Sequence, residues 1–144
     1  MSNDVELAII TALKANTAIC STSFVGASPN QRIYRRKLPV SPTFPAITVT
    51  KIDDIADRDT NTGGWAHTRI QCTAWVSSPG PEDALSKLIR KALHRKKNTL
   101  MTAGTGKVYI VMIRDAGSVP DENTEIPIYM EHRDFIILYD YKEV

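Results

Sequence analysis

An acidic segment near the middle of the chain has the clearest spacing for metal chemistry. Asp57, Asp59 and Asn61 match the first three side-chain ligand positions of a calcium-binding loop. Such a loop also needs a glycine at its sixth position and a glutamate at its twelfth, where this sequence has Thr62 and Thr68. The pattern therefore favours a solvated acidic segment, and we expect no metal site there.

A second segment resembles the end of a phosphate-binding loop. Gly104 to Lys107 has the glycines and the lysine of that loop, but Met101 stands in place of its first glycine. Val108 stands in place of the hydroxyl residue that would hold magnesium, and the following residues predict a strand, whereas the phosphate cradle needs a helix N-terminus. A tight turn is the better interpretation.

Histidines and serines complete the residues that could do chemistry. No two of His67, His94 and His132 have the spacing of zinc ligands. The serines at 21–23 and 77–78 lack the glycine pattern of a nucleophile elbow. The sequence therefore predicts no catalytic residue, no cofactor and no metal, and we expect a protein that is not an enzyme.

Two amphipathic helices are predicted from apolar residues at helical spacing. The first covers about residues 3–16 and begins with a capping-box pattern, Asn3 followed by Glu6. The second has Gly80 as its N-cap and Pro81 at its first position. Its apolar stripe consists of Ala84, Leu85, Leu88, Ile89, Ala92 and Leu93. The second helix therefore belongs to the core.

Five strands are predicted from alternating or continuous apolar residues. They are a short edge strand at 32–35, then 46–52, 67–77, 108–113 and 128–141. The strand at 108–113 is nearly all apolar, so we expect it to be central and covered on both faces. The segments 98–106 and 117–127 are predicted loops, and 53–66 is predicted as a long loop or an extended hairpin tip.

These elements predict an α+β domain with the order α-β-β-β-α-β-β. We expect a single mixed or antiparallel sheet of about four to five strands, with two helices packed on one face. The length of 144 residues is that of a single domain, 1–144. Trp75 lies on an otherwise polar strand face, where it is either a ring buried at an interface or part of the subunit core.

Composition narrows the class of protein. No apolar run approaches the ~20 residues needed to cross a bilayer, and the N-terminus lacks a basic and then apolar signal. We expect a soluble, unsecreted protein without a membrane partner. Cys20 and Cys72 lie far apart and form no CxxC pair, so both are predicted to be reduced and buried.

Charge is unevenly distributed although the net charge is only +2. Between Lys87 and Lys107 there are seven Lys/Arg and no Asp/Glu, whereas Asp115 to Glu143 holds eight acids against two bases. Three explanations remain open: a solvated helix face with internal pairing, head-to-tail association of subunits through opposite charges, and binding of nucleic-acid phosphates. No RNA-recognition signature accompanies the basic stretch.

Five segments together are similar to a known family. They are Arg-Ile-Tyr at 32–34, Phe-Pro-Ala-Ile-Thr-Val at 44–49, Thr-Arg-Ile-Gln-Cys-Thr-Ala-Trp-Val at 68–76, the helix Ala-Leu-Ser-Lys-Leu-Ile-Arg-Lys-Ala-Leu at 84–93, and Glu-His-Arg-Asp-Phe-Ile-Ile-Leu-Tyr at 131–139. With the preceding N-terminal helix they resemble the tail-completion or tail-terminator proteins, which join head and tail in long-tailed bacteriophages. The resemblance covers roughly Val5 to Tyr141. Two departures are the long acidic segment 53–66 and an insertion at 121–127.

The resemblance implies a structural virion protein, located in the tail or neck and made in the cytoplasm of the host bacterium. Such a protein forms a homo-oligomeric ring, usually a hexamer, at the head-proximal end of the tail. There it stops growth of the tail tube and offers a surface for head-tail joining. Its implied partners are itself, the tail tube protein and the head connector or neck proteins, with genomic DNA passing through the lumen without sequence-specific binding.

The candidate interface residues of the sequence are charged or aromatic. They are Asp53, Asp54, Asp57, Asp59, Trp65, Trp75, Lys87, Arg90, Lys91, Arg95, Lys96 and Lys97. Two alternative functions remain: another neck protein, such as a head-closure or adaptor protein, and a small α+β domain that binds nucleic acid. The nucleic-acid-binding alternative requires that the basic helix face bind the phosphates of a nucleic acid.

Overall fold

A computed structural model describes residues 4–21, 24–27, 30–60, 63–123 and 125–141, with the side chains of 56–60, 63 and 141 left out of the description. In chain order the elements are α1 (Val5–Lys14), β1 (Ile33–Arg35), β2 (Ala46–Thr60), β3 (Gly63–Val76), α2 (Pro81–Leu93), β4 (Lys97–Ala103), β5 (Gly106–Asn123) and β6 (Ile128–Tyr141). The α+β class is as predicted.

All strands belong to a six-stranded sheet with the order β1-β2-β3-β6-β5-β4. β1 pairs with β2 in parallel, and the other neighbouring strands are antiparallel. The prediction of four to five strands was too low, because the predicted loop 98–106 contains β4. In this edge strand only Met101 and Ala103 are buried, while Leu100 is exposed, so its apolar signal is weak.

The predicted loop 117–127 is in part a strand, whereas the segment 53–66, predicted as a long loop or an extended hairpin tip, belongs to a hairpin. Residues 53–60 and 63–66 continue β2 and β3 as antiparallel partners, with Ile55 opposite His67. Segment 117–123 continues β5, with Ser118 opposite Arg133 after a register shift that follows Asp115. These segments are polar because little covers them, and cross-strand hydrogen bonds rather than an apolar face hold them extended.

The helices begin where local chemistry allows. The N-cap of α1 is Asp4, whose carboxylate accepts the Leu7 amide at 3.0 Å, and the predicted cap Asn3 lies outside the described residues. Glu6 does not act as the partner in a capping box but is buried against the sheet. α2 begins as predicted, with Gly80 at φ +114°, a backbone conformation that favours glycine, followed by Pro81.

One core lies between the sheet and the two helices. From α2 it contains Leu85, Ile89 and Leu93, which are fully buried. Each such side chain contributes roughly 1.5–3 kcal/mol of burial free energy. α1 contacts β1 and β2 at one edge of the sheet and β4 at the other, and it touches α2. The sheet therefore curls around α1, and both helices lie on its inner face.

Among the described residues, no helix covers the outer face of the sheet. β5 is second from the edge and is covered on one face only, since Met112 is 41% exposed, so the prediction of a strand covered on both faces was wrong. β4 pairs with β5 only up to Met112, so the outer edge of β5 beyond Ile113 has no strand partner among the described residues. No helix among the described residues is long and apolar enough to span a membrane.

Candidate assembly surface

The basic residues of α2 face away from the core. Because Leu85, Ile89 and Leu93 point inward, Lys87, Arg90 and Lys91 are exposed. Lys87 pairs with Asp83 at 2.9 Å, one turn earlier on the same helix, and both side chains are more than half exposed. Such a pair contributes at most a few tenths of a kcal/mol, so this part of the helix is a solvated face.

The chain leaves α2 through two residues with unusual backbone angles. Arg95 has φ +65° and Asn98 has φ +47°, values at which a side chain costs about 1–2 kcal/mol relative to glycine. Between them the backbone pairs with β5, since the Arg95 amide donates to the Ile113 carbonyl at 2.9 Å. The Ile113 amide donates in turn to the Lys96 carbonyl, also at 2.9 Å. This pairing holds the end of α2 against β5.

A basic hollow of about 340 Å³ lies where α2, β4 and β5 meet. It is lined by His94, Arg95, Lys97, Met112, Ile113 and Arg114. Within the described part of the chain, no ion pair engages Arg95, Lys97 or Arg114. Partial desolvation and the nearby Arg90 and Arg95 guanidinium groups lower the pKa of His94. Arg95, Lys97 and Arg114 of the basic hollow are therefore three cations that pair with no carboxylate within the described part of the chain.

A buried ion-pair cluster fixes the position of α2. Asp115 accepts hydrogen bonds from Arg90 and Arg133, each at 2.7 Å. Arg133 also donates to Ser86 of α2 at 2.8 Å, and its side chain is only 9% exposed. Burial opposes ionisation of Asp115, but the Gly117 amide and the two guanidinium groups outweigh it and lower its pKa. The cluster ties α2 to β5 and β6 beside the basic hollow.

The lowered pKa of Asp115 predicts a loss of stability in acid. A carboxyl whose pKa is lower in the folded state contributes stability above its unfolded pKa of about 4, and this contribution disappears as the pH falls through the folded value. We expect Asp115→Asn to be less stable than the native chain at about pH 7, with the difference shrinking toward about pH 2. Urea unfolding at several pH values measures this. Asp83→Asn, which removes an exposed pair, is the control, and an unchanged acid dependence in Asp115→Asn would contradict the prediction.

The predicted acidic residues lie elsewhere. Asp53 accepts the Arg69 amide at 3.2 Å, and Asp54 accepts the Tyr139 hydroxyl at 2.8 Å. The backbones of Asp57 and Asp59 belong to β2, and their side chains lie outside the described part of the structure. Asp54 also lies 4.0 Å from the Lys51 ammonium, and among the described side chains neither Asp53 nor Asp54 forms an ion pair with the predicted basic residues.

The two tryptophans lie on or near the outer sheet face. Trp75 is half-buried, alternates with core residues of β3, and donates its indole N–H to the Thr48 hydroxyl at 2.9 Å. It is therefore outside the core beneath the helices. Beside it, Thr73 bonds His132 at 2.9 Å in a row of polar cross-strand contacts. Trp65, near the β2–β3 turn, is 50% exposed. These rings remain candidate interface residues.

Sequence reasoning missed part of the basic hollow. Arg114 follows the predicted strand 108–113. A cation directly after a predicted strand does not by itself indicate that a helix lies next to it. Arg90 was grouped with the solvated basic face, but it pairs with Asp115. The available signal was the acid at position 115, the first one after the basic stretch.

The two cysteine thiols have raised pKa values, which disfavour the reactive thiolate. Burial raises the pKa of the Cys72 thiol to about 12, and burial also raises the pKa of Cys20. Both cysteines are free, with Cys72 buried as predicted and Cys20 half-buried. The described residues include no group of three His, Cys, Asp or Glu side chains that could hold a metal ion.

Two comparisons with known proteins found matches for this chain. The family model for tail completion protein gp17 matches residues 7–126. The fold is similar to a chain of a solved structure described as the virion of a native gene transfer agent particle, with a TM-score of 0.65 and 12% identity. That similarity covers 96% of this chain and 99% of the other. No curated protein matches the sequence. Because the family match spans most of the sequence, this chain belongs to the tail completion protein gp17 family and is a structural bacteriophage tail protein, a component of the virion.

Proposed function

We propose that this chain, as a single domain, forms a homo-oligomeric ring at the head-proximal end of the phage tail. The ring, a hexamer, stops growth of the tail tube and provides the surface for head-tail joining. The observation that carries the proposal is the match to the tail completion family over residues 7–126. The protein has no catalytic role. Its partners are other copies of itself, the tail tube protein and the neck proteins, and DNA passes through the lumen.

Charge separation supports assembly of a ring. The basic hollow and the exposed basic face of α2 lie near β4, whereas Asp53 and Asp54 lie on β2, near the other edge of the sheet. Two different surfaces of opposite charge favour a heterologous contact, which closes into a ring when the rotation between subunits allows it. The candidate interface consists of the predicted residues Asp53, Asp54, Asp57, Asp59, Trp65, Trp75, Lys87, Arg90, Lys91, Arg95, Lys96 and Lys97.

Assembly of the purified chain tests this function. We expect light scattering and negative-stain microscopy to show rings, either of the chain alone or on the ends of added tail tubes, and a tube length that stops increasing once the chain is present. Rings of the chain alone should weaken as salt rises, because salt screens exposed charges. A monomer at every concentration, with no ring on tail tubes, would rule out the proposed function.

Head closure, the alternative role in the neck, predicts a different defect in phage particles that lack the chain. If the chain closes the head instead, phage particles lacking it have heads that leak DNA and tails of normal length. If it terminates the tail, the same deletion leaves headless tails of uncontrolled length. Negative-stain images of particles assembled without the chain therefore distinguish the two roles, and complementation with the native chain is the control.

A further inference from the structure

The β5–β6 hairpin ends in an acidic tip, defined here as Asp121, Glu122 and Glu125. All three are exposed, and no Lys or Arg occurs between residues 115 and 132. The tip is ordered by Asn123, whose side-chain oxygen accepts the Glu125 amide at 3.1 Å and the Ile126 amide at 3.4 Å. Ile126 is 56% exposed beside Glu125, so the tip presents an apolar side chain flanked by carboxylates.

The basic hollow has the complementary composition. Its cations, Arg95, Lys97 and Arg114, line the hollow together with Met112, which is 41% exposed. An apolar floor with cations around it matches an apolar side chain with carboxylates around it. Burying both apolar groups adds a favourable term to the attraction between the charges.

The tip and the basic hollow of one subunit cannot meet. Glu122 lies eight residues beyond Arg114 on β5, which places it roughly 25 Å away at the rise of an extended strand. The hairpin cannot fold back, because β5 remains paired with β6 as far as Asn123 opposite Ile128. Any contact between the two surfaces therefore joins two copies of the chain.

The backbone at Arg95 adds a second observation. Its φ of +65° suits glycine, yet the position holds a long cation that forms no ion pair within the described chain. A residue held in a costly conformation, with its side chain directed at no partner of its own, is typical of a binding site.

We propose that the acidic tip of one subunit docks into the basic hollow of the next subunit. This inference rests on the proposed ring and names one contact that builds it. The contact is heterologous, since each subunit uses its tip on one side and its hollow on the other. Nucleic acid fits the hollow less well, because phosphates would leave the apolar floor unmatched and no phenylalanine, tyrosine or tryptophan lines the hollow for stacking.

Charge reversal on each surface gives a sharp test. One variant carries Asp121→Lys, Glu122→Lys and Glu125→Lys, and the other carries Arg95→Glu, Lys97→Glu and Arg114→Glu. We expect each alone to form no rings, because equal charges then face each other. An equimolar mixture should restore rings, since opposite charges meet again at every contact. Sedimentation velocity and microscopy of the two variants and the mixture measure this, and circular dichroism verifies that each is folded.

A matched pair of glycine substitutions separates binding from folding. Arg95→Gly and Asn98→Gly each relieve a positive φ, so both should melt at the same temperature as the native chain or higher. We expect Arg95→Gly to weaken self-association about tenfold and Asn98→Gly to leave it unchanged. The reason is that, of these two residues, Arg95 supplies a cation to the hollow and Asn98 does not.

Failure of this inference is distinct from failure of the ring. Rings that form equally well from each charge-reversed variant would overturn the docking contact and leave the proposed function standing. Absence of rings from the native chain, with and without tail tubes, would overturn both. If the hollow variants assemble normally but lose retention of duplex DNA in a gel at low salt, the hollow binds nucleic acid and the docking contact is wrong.

Discussion

Arg133→Met is expected to lower the free energy of unfolding by about 3 kcal/mol. Arg133 is a buried cation whose hydrogen bonds reach Asp115, Ser86 and Ser118. Its removal leaves the Ser86 hydroxyl, which is fully buried, without its donor and leaves the Asp115 carboxylate with one guanidinium instead of two. Removing one partner of a buried pair costs about 3–5 kcal/mol, and the remaining Arg90 places this case at the lower end.

Urea unfolding of Arg133→Met at neutral pH measures this loss. Arg90→Met is the matched control, because it removes the other guanidinium from Asp115 but from a side chain that is 47% exposed. The control should cost less than about 1 kcal/mol. Equal losses in the two variants would contradict the view that burial sets the size of the effect.

Glu6→Ala is expected to cost about 2–3 kcal/mol of unfolding free energy. Glu6 is 2% exposed, accepts the Lys51 amide at 2.7 Å, and bonds the guanidinium groups of Arg35 and Arg36. It therefore joins α1 to both β1 and β2. Arg35 and Arg36 are 42% and 62% exposed, so water replaces part of what they lose, and the effect stays below that of a fully buried pair.

Two controls separate the parts of this effect. Glu6→Gln keeps an acceptor for the Lys51 amide but removes the charge, so the difference between this variant and the native chain gives the contribution of the charge. Asp4→Ala removes the N-cap and an exposed contact to Arg35, which should cost about 1 kcal/mol. Thermal and urea unfolding give these values. A loss for Glu6→Ala no larger than that for Asp4→Ala would show that the buried carboxylate contributes little.

An element can be predicted from the sequence when its pattern of apolar residues lies within its own segment. β6 has the predicted bounds, 128–141, because the strand alternates buried and half-buried residues from Glu131 to Asp140. α2 was predicted for the same reason, since its apolar stripe and its Gly80–Pro81 start lie within one short segment. β4 was missed, because an edge strand with two buried residues has almost no periodic signal of its own.

The long hairpins show a second reason why the sequence does not predict every strand. Residues 53–60 and 117–123 are polar, and polarity alone predicts a loop for 117–123 and leaves a loop or a hairpin tip open for 53–60. They are strands because β3 and β6 offer hydrogen bonds to them across the hairpins, and a non-local partner cannot be read from a polar segment. The predicted insertion at 121–127 is thus the end of a hairpin, which turns a stretch of acids into a projecting charged tip.

The amino-acid sequence by itself determined the class of this protein: two amphipathic helices, alternating strands, separated charges and the segments that resemble tail completion proteins. All of these are patterns within short windows, where side-chain spacing decides the structure. Only the tertiary structure decided which charges meet. It buried Arg133 against Asp115, placed Arg95 and Arg114 on one hollow without an ion pair among the described residues, and placed the acidic tip out of their reach. The reason is that register and packing, which are set by partners distant in sequence, determine whether a charge is neutralised or left for a neighbouring molecule.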